Sequence, residues 1–210
     1  MTAATLNASD VHGVNWRELR LAYQTFLADP SAGINHIIAA AEHSRWQRWV
    51  EARWAQQGAH LKNVDLSQID LQALATLPEG TLGGAYGRHM LANGFDLDEF
   101  FQEDGSDNWI GRRASINHDV SHVITGFDAS PNGEFGLAAF CLAQDWDMLN
   151  VFVLTFVPLE MLRNPQVLWT VAKGFWLGLK SKSLFAYAFE QNWQTPLASV
   201  RESLNIFSHA

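Results

Sequence analysis

Apolar residues recur at helical spacing along most of the chain, and strand-like alternation is scarce. The pattern predicts helices over Trp16–Leu27, Gly33–Gln57, Arg112–Phe127, Gly133–Asp145, Pro165–Lys182 and most of Ser183–Phe207. Asp65 or Ser67 can cap a shorter helix that runs through Leu77. Asn150–Phe156 fits either a strand or the start of a helix. The predicted fold is therefore all-α, an irregular helical bundle that forms one domain over residues 1–210.

Three glycines, Gly83, Gly84 and Gly87, interrupt the helical pattern of Leu77–Met90. Each costs about 1 kcal/mol relative to alanine inside a helix. Such a cost indicates that something approaches this backbone closely. The approaching group is either a ligand or a tightly packed neighbouring helix, and the sequence leaves both alternatives open.

Composition narrows the possible partners and compartments. The chain has 210 residues, of which 48% are hydrophobic, so it can bury a sizeable core. Its net charge of −8 argues against a nucleic-acid partner, and its single cysteine, Cys141, rules out a disulfide framework. The apolar run Met148–Leu159 is too short to span a bilayer. Met1–Asp10 has no targeting pattern, so we expect a cytoplasmic location.

The sequence His118-Asp119-Val120-Ser121-His122 carries the most informative chemistry. At about 100° per residue, His122 lies about 40° and Asp119 about 100° from His118 around the helix. These side chains can all bind a metal and share one face of a single turn. The apolar residues of this helix point to the opposite side; they are Ile116, Val120, Val123, Ile124 and Phe127. The histidines are therefore expected to face solvent or a cavity.

Glu134 follows a helix start at Ser130–Gly133 and shares a face with apolar residues. A carboxylate in an apolar stripe is costly unless it is paired or bound to a metal. The loop Thr125–Asn132 is short enough to fold Glu134 back toward the two histidines. Two imidazoles and two carboxylates suit a divalent cation, with zinc, iron or manganese as candidates.

Two alternatives for these residues stay open. Glu134 can simply stabilise its own helix, because an acidic residue in the first turn complements the helix dipole. The His-Asp pair also occurs in small metal hydrolases, for which His36, His43 and Asp145 would be further ligands, although no spacing selects them.

The His118-Asp119-x-x-His122 sequence, followed after eleven residues by Glu134, resembles the signature of the fourth Coq protein of ubiquinone (coenzyme Q) biosynthesis. Leu77–Gly83 with Tyr86 is similar to the "LP-x-x-T-x-G" segment of that family. The carboxy-terminal pattern of the family is matched in order by Gly174, Leu179, Glu190, Trp193, Pro196, Leu197 and Arg201. The resemblance covers residues 77–206, and residues 1–65 show no match.

Two departures from the family pattern indicate a divergent bacterial member. Arg113 fits the first arginine of an Arg-Tyr-Arg-Glu-like run, but Ala114–Ile116 do not fit the rest. Asp96–Glu99 replaces a Pro-Asp segment.

The resemblance implies a divalent metal, zinc above all, with magnesium as a further possibility, held by His118, Asp119, His122 and Glu134. It assigns the same four residues to catalysis. It also implies a hydrophobic cavity or channel for a polyprenyl tail, and oxidative decarboxylation of a hydroxybenzoate-type ring at C1. Expected partners are other quinone biosynthesis proteins and a second copy of the chain. The alternative that the resemblance allows is a non-enzymatic carrier or scaffold for polyprenyl lipids.

The segment Met161–Phe189 contains four basic residues and no acidic residue. Aromatic and aliphatic residues lie between the basic ones, a composition typical of helices that bind the surface of anionic membranes. We therefore expect a peripheral membrane contact, on the inner face of the cytoplasmic membrane. The alternative is a buried core helix with a rim of lysines.

Overall fold

A computed structural model of the chain describes residues 13–95 and 108–207. Within these ranges the chain is helical, and its one extended pairing is an isolated bridge between Thr81 and Pro196. The helices are α1 (Trp16–Thr25), α2 (Pro30–Ala41), α3 (Arg45–Gln57), α4 (Leu71–Ala75), α5 (Leu82–Asn93), α6 (Trp109–Thr125), α7 (Pro131–Asp145), α8 (Met148–Leu154), α9 (Val157–Arg163), α10 (Val167–Lys180) and α11 (Leu197–Ser203). Single 3-10 turns lie at Ala59–Leu61, Leu66–Gln68 and Phe189–Gln191. The predicted all-α fold is confirmed.

No helix of these two ranges has the length and apolar character that crossing a lipid bilayer requires. The sequence observations on Met1–Asp10 and Asp96–Glu99 concern residues outside the described ranges.

The prediction of one continuous helix over Gly33–Gln57 is wrong, because the chain is interrupted between α2 and α3. The side chain of Ser44 accepts a hydrogen bond from the backbone N–H of Gln47 at 3.0 Å and caps α3. This cap gives a backbone N–H in the first turn of α3 a hydrogen-bond partner. Inside a continuous helix the same N–H would already be bonded to the preceding turn. For Asn150–Phe156, the helical alternative is correct, since most of it lies in α8.

The prediction of a helix over most of Ser183–Phe207 is also wrong. This segment contains only one 3-10 turn and the short helix α11. Its backbone instead pairs with the start of α5, where Leu82 and Gly83 donate to the carbonyls of Thr195 at 2.9 Å and Trp193 at 2.8 Å. Backbone groups that a helix would use internally therefore join two distant parts of the chain.

Two arginines attach this carboxy-terminal segment to α6. The buried Arg113 guanidinium donates to the carbonyls of Phe185 at 3.0 Å and Tyr187 at 2.6 Å. Arg201 donates to two carbonyls in the last turn of α6, at 2.7 and 3.0 Å. Those last-turn carbonyls have no partner within their own helix, so the arginine satisfies them.

The buried apolar side chains form two clusters. The larger cluster joins α5, α6, α7, α10 and the carboxy-terminal segment, and it includes Leu82, Tyr86, Met90, Ile116, Val120, Ile124, Leu137, Phe140, Leu177, Phe189 and Val200. The smaller cluster joins α1, α2, α8 and their neighbours, and it includes Ala22, Ile37, Phe135, Phe152, Phe156 and Val167. Each fully buried large apolar side chain contributes about 1.5–3 kcal/mol to folding. The apolar stripe predicted for α6 belongs to the larger cluster.

The glycines of α5 face other parts of the same chain. A Cβ atom at Gly83 would lie 2.8 Å from the Leu77 side chain and 2.9 Å from Trp193. A Cβ atom at Gly87 would lie 2.9 Å from the carbonyl oxygen of Leu71. Of the two alternatives left open by the sequence, tight intramolecular packing therefore accounts for these glycines.

Helices α7 and α10 also pack against each other through glycines. A Cβ atom at Gly174 would overlap the carbonyl oxygen of Gly136, and one at Gly178 would overlap the carbonyl oxygen of Phe140. The backbones of the two helices can approach this closely only because neither glycine carries a side chain. This interface fixes the position of α7, the helix that carries Glu134.

Among the clefts on the described surface are two that are not lined by His118, His122 or Glu134. One, of about 480 Å³, is lined by residues 61–67 and by residues of α6 near its start. The other, of about 490 Å³, is lined by residues of the segment 190–196. The hydrophobic cavity or channel for a lipid tail stays a prediction.

Replacing Gly174 by alanine should lower the free energy of unfolding by about 1–3 kcal/mol, because the added methyl group forces α10 away from α7. Chemical denaturation followed by circular dichroism measures the change. Gly80→Ala is the matched control, since a Cβ atom there would meet no heavy atom within 4 Å. Equal stability of the two variants would contradict the proposed packing constraint.

Candidate metal centre

Helix α6 places two imidazoles one turn apart. His118 and His122 are separated by four residues, and their ring centroids lie 4.9 Å apart with the rings nearly perpendicular. The His122 side chain is only 2% exposed, whereas that of His118 is 44% exposed. The expectation that both histidines face solvent or a cavity therefore fits His118 better than His122.

The turn after α6 brings Glu134 to these imidazoles. Gly126 ends α6 with a left-handed φ of 80°, a conformation that glycine adopts without strain. Ser130 then accepts a hydrogen bond from the backbone N–H of Gly133 and starts α7. As a result, Oε1 of Glu134 lies 3.2 Å from Nε2 of His122, and Oε2 lies 3.7 Å from Nε2 of His118.

His118, His122 and Glu134 therefore form a group whose donor atoms all lie within 4.8 Å of one another. Two imidazole nitrogens and one carboxylate form a donor set that suits zinc, and iron or manganese as well. The predicted convergence of these three residues is what the structure contains. Asp119, the fourth predicted ligand, is not a member of the group.

Each imidazole has a partner on its other nitrogen, Nδ1. Nδ1 of His122 lies 2.9 Å from the carbonyl oxygen of Phe127, and Nδ1 of His118 lies 3.2 Å from Oδ1 of Asp119. A carbonyl oxygen can only accept a hydrogen bond, so Nδ1 of His122 donates, and Nε2 is the nitrogen left to bind a metal. Protein ligands to metals commonly have such a partner, so the site fits a metal.

Burial and the neighbouring charges shift the pKa values of His118 and Glu134. Burial alone would lower the pKa of His118, but the hydrogen bond to Asp119 and the negative charges of Asp119 and Glu134 outweigh it and raise that pKa. For Glu134 burial acts to raise the pKa, yet the hydrogen bond to His122 and the nearby imidazoles lower it overall. The carboxylate is therefore ionised at neutral pH, as a metal ligand must be.

Helix α5 adds two polar side chains that the sequence did not single out as site residues. The ring of His89 stacks on that of His122 with centroids 5.4 Å apart. Burial and the proximity of His122 lower the pKa of His89. Nε2 of His89 and the hydroxyl of Tyr86 are both buried and make no hydrogen bond. No spacing rule links α5 to α6, so only the packing of the two helices could identify His89.

The ligands suggested by the hydrolase alternative lie elsewhere. His36 pairs with Glu18 at 2.7 Å, and His43 lies beside Glu42. Asp145, at the end of α7, has a pKa raised to about 7, chiefly by burial. None of the three belongs to the group formed by the histidines of α6.

Comparison with known proteins relates the chain to one group of relatives. The sequence profile described as "Coenzyme Q (ubiquinone) biosynthesis protein Coq4" matches residues 59–209. A ubiquinone biosynthesis protein COQ4 homolog, mitochondrial, of Nematostella vectensis is 28% identical over 152 residues, which are 66% of this chain and 71% of that protein. The protein of the same name from Rattus norvegicus is 27% identical over 154 residues, 68% of this chain and 57% of the relative. The aligned part of the chain thus spans little more than half of the rat protein.

A solved structure has the same fold. The crystal structure of a Nostoc punctiforme protein, provisionally named a ubiquinone biosynthesis protein, superposes with a TM-score of 0.76 at 25% sequence identity. The superposition covers 93% of this chain and 100% of that one. This coverage exceeds the segment 59–209 that the sequence profile matches.

Purified chain should bind about one zinc ion, and His122→Ala should weaken zinc binding more than about a hundredfold. Loss of a residue that only orients a ligand already costs about 10- to 100-fold, and loss of the ligand itself costs more. Competition with a chelator of known affinity measures the change. His60→Ala, an exposed histidine outside the group, is the control and should bind zinc like the unaltered chain. Equal affinity of both variants would exclude His122 as a ligand.

Zinc affinity should also fall as the pH is lowered from about 8 to about 5.5. A protonated imidazole cannot bind a metal, and the raised pKa of His118 means that it gains its proton at a higher pH than an ordinary histidine. Glu134, with its lowered pKa, stays ionised over this range. Isothermal titration across the range tests this, and a constant affinity would contradict it.

Proposed function

The chain belongs to the Coq4 family of coenzyme Q (ubiquinone) biosynthesis proteins, and from this premise we propose that it is a metal-dependent enzyme acting on a polyprenylated hydroxybenzoate-type ring. The proposed reaction replaces the C1 carboxylate of the ring by a hydroxyl group. The observation that supports it most directly is the convergence of His118, His122 and Glu134 on one point. Zinc is the cation that we propose for this site.

The proposed reaction defines what else must be supplied. Replacing a ring carboxylate by a hydroxyl group releases carbon dioxide and withdraws two electrons from the ring carbon. A two-electron oxidant is therefore required, for which we propose molecular oxygen: the ring acid, oxygen and water would give the phenol, carbon dioxide and hydrogen peroxide. A bound divalent cation would act as a Lewis acid toward the ring carboxylate and a neighbouring phenolate oxygen.

The residues of the group would have different roles in this reaction. His122 is buried, and its Nδ1 is held by the carbonyl of Phe127, so its Nε2 provides a metal ligand in a fixed position. The side chains of His118 and Glu134 are 44% and 40% exposed, which leaves one side of the group open to a ring that approaches from outside. The ring of His89 on α5 stacks on that of His122 and borders the group.

His118→Ala and Glu134→Ala should each lower product formation by at least about a hundredfold, because each removes a donor that holds the charge-stabilising cation. Conversion of a polyprenyl hydroxybenzoate by purified protein under air, followed by mass spectrometry, measures the loss. Helicity by circular dichroism should be unchanged, and His43→Ala, an exposed histidine, should behave like the unaltered chain. Full turnover by both ligand variants would eliminate the enzymatic proposal.

A non-enzymatic lipid carrier is the second candidate, and the exposed face of α10 favours it. Leu168, Trp169, Trp176 and Leu179 are between 47% and 76% exposed on this helix. The opposite face buries Gly174, Leu177 and Gly178. Helix α10 is therefore buried on one face and exposed on the other, so a buried core helix with a rim of lysines describes only one of its faces. Purified protein that converts the substrate unaided would exclude the carrier as the whole function.

We propose that the exposed face of α10 rests on an anionic membrane surface, where either function would meet a polyprenyl substrate. Lys173 and Lys180 accompany the apolar side chains, and Nζ of Lys180 lies 3.9 Å from the centroid of the Trp176 ring. Each basic residue near such a surface contributes about 1 kcal/mol to the free energy of membrane binding. Aromatic rings that enter the interface contribute further.

Trp169→Glu should weaken binding to vesicles that contain phosphatidylglycerol by about tenfold, or ~1.4 kcal/mol. The change replaces a ring that can enter the interface by a charge that anionic lipid repels. Co-sedimentation with vesicles measures it. Trp16→Glu is a close control, because Trp16 is 74% exposed and Trp169 is 76% exposed, and Trp16 lies on α1. If both variants bind like the unaltered chain, α10 is not the membrane contact.

A further inference from the structure

The carboxylate of Asp119 contacts a candidate ligand rather than joining the ligand group. Its Oδ1 lies 3.2 Å from Nδ1 of His118, on the side of the imidazole that faces away from Glu134. Asp119 contributes no atom to the group of His118, His122 and Glu134, although it is the residue next to His118. Adjacent residues point about 100° apart on a helix, which explains why Asp119 reaches the back of the imidazole.

The contact of Asp119 has a counterpart at the second histidine. The carbonyl of Phe127 accepts from Nδ1 of His122 at 2.9 Å, and the carboxylate of Asp119 is placed to accept from Nδ1 of His118. In each case the proton is held on Nδ1, and Nε2 is left to face Glu134. The His122 side chain is also fixed by burial, but that of His118 is 44% exposed. His118 therefore depends more on its partner for its orientation.

A cation held by three protein ligands would keep a net positive charge and an open coordination position for a substrate. Two neutral imidazoles and one carboxylate leave a divalent cation with a net charge of +1, whereas a second carboxylate ligand would cancel that charge. Sites with three protein ligands keep at least one position open, which is typical of catalytic rather than structural zinc. A net positive charge at an open position favours a ligand with anionic oxygen, such as a ring carboxylate.

We propose that Asp119 is a positioning residue that orients His118, and that His118, His122 and Glu134 alone bind the cation. This inference rests on the proposed function, because it assumes that the group holds a metal. It differs from the ligand set of four that the family resemblance implies.

Cobalt(II) tests the proposal without measuring turnover, because its visible absorption spectrum reports the number and geometry of its ligands. Asp119→Asn should bind one Co(II) with the spectrum of the unaltered chain, but with an affinity about 10- to 100-fold weaker. His118→Ala provides the reference spectrum for the loss of a ligand. Asp70→Asn is the control, since the carboxylate of Asp70 caps α4 and accepts from the backbone N–H of Ala73 instead of bonding to a histidine. It should change the affinity much less than Asp119→Asn.

Each other outcome has a definite meaning. If the spectrum of Asp119→Asn changes as that of His118→Ala does, Asp119 is a ligand and the proposal is wrong. If the affinity stays unchanged, whatever happens to the melting temperature, Asp119 is merely structural and the proposal is also wrong. If the unaltered chain binds no Co(II), the proposed function fails first, and this result differs from the other two.

A second measurement does not depend on the folding of a variant. In a crystal structure of the unaltered chain loaded with zinc, both oxygens of Asp119 should lie well beyond the bonding distance of about 2.0–2.2 Å. The contact of Asp119 with Nδ1 of His118 should persist. An Asp119 oxygen within bonding distance of the zinc would overturn the proposal.

Discussion

The hydrogen bond between Nδ1 of His122 and the carbonyl oxygen of Phe127 links the fold of this protein to its candidate metal centre. A buried imidazole needs a partner, and the carbonyl is available only because the chain reverses at Gly126 directly after α6. The same reversal starts α7 and places Glu134 against Nε2 of His122 at 3.2 Å. One turn thus determines the direction of a helix, the tautomer of a histidine and the position of its carboxylate neighbour.

The packing of α7 on α10 holds this reversal of the chain in place. The ring of Phe127 lies against Gly136, and the carbonyl of Gly136 lies against Gly174. Phe127 therefore contributes its carbonyl to the metal centre and its ring to the helix interface. Because interiors are packed at close to crystal density, a side chain added at either glycine cannot be absorbed locally. It would displace α7 and with it Glu134, so the site depends on glycines that touch none of its ligands.

The sequence allowed the all-α fold and the three convergent residues to be predicted, because both depend on local rules. Helical periodicity fixed the relative directions of His118 and His122, and a short loop with a serine cap limited where Glu134 could lie. The segment after Ser183 could not be predicted in this way, since its backbone bonds to residues about a hundred positions earlier. The approach of His89 to His122 likewise depends on a contact between helices that sequence spacing does not encode.

The polar atoms left without partners around the centre bear on which of the two proposed functions is the main one, chemistry at the candidate centre or lipid binding by the exposed face of α10. Nε2 of His89, the hydroxyl of Tyr86 and Oδ2 of Asp119 are buried without hydrogen bonds, on the helices that carry or border the candidate ligands. Each such unpaired group lowers the free energy of unfolding by about 1–3 kcal/mol. Burial and the charge of Asp119 both raise the pKa of Tyr86, so its hydroxyl stays a neutral donor. A protein that only carried lipid on the surface of α10 would be more stable with a phenylalanine at position 86. Stability given up near a candidate centre is typical of sites that bind a ligand, which accords with the proposal that the group of His118, His122 and Glu134 acts on a substrate.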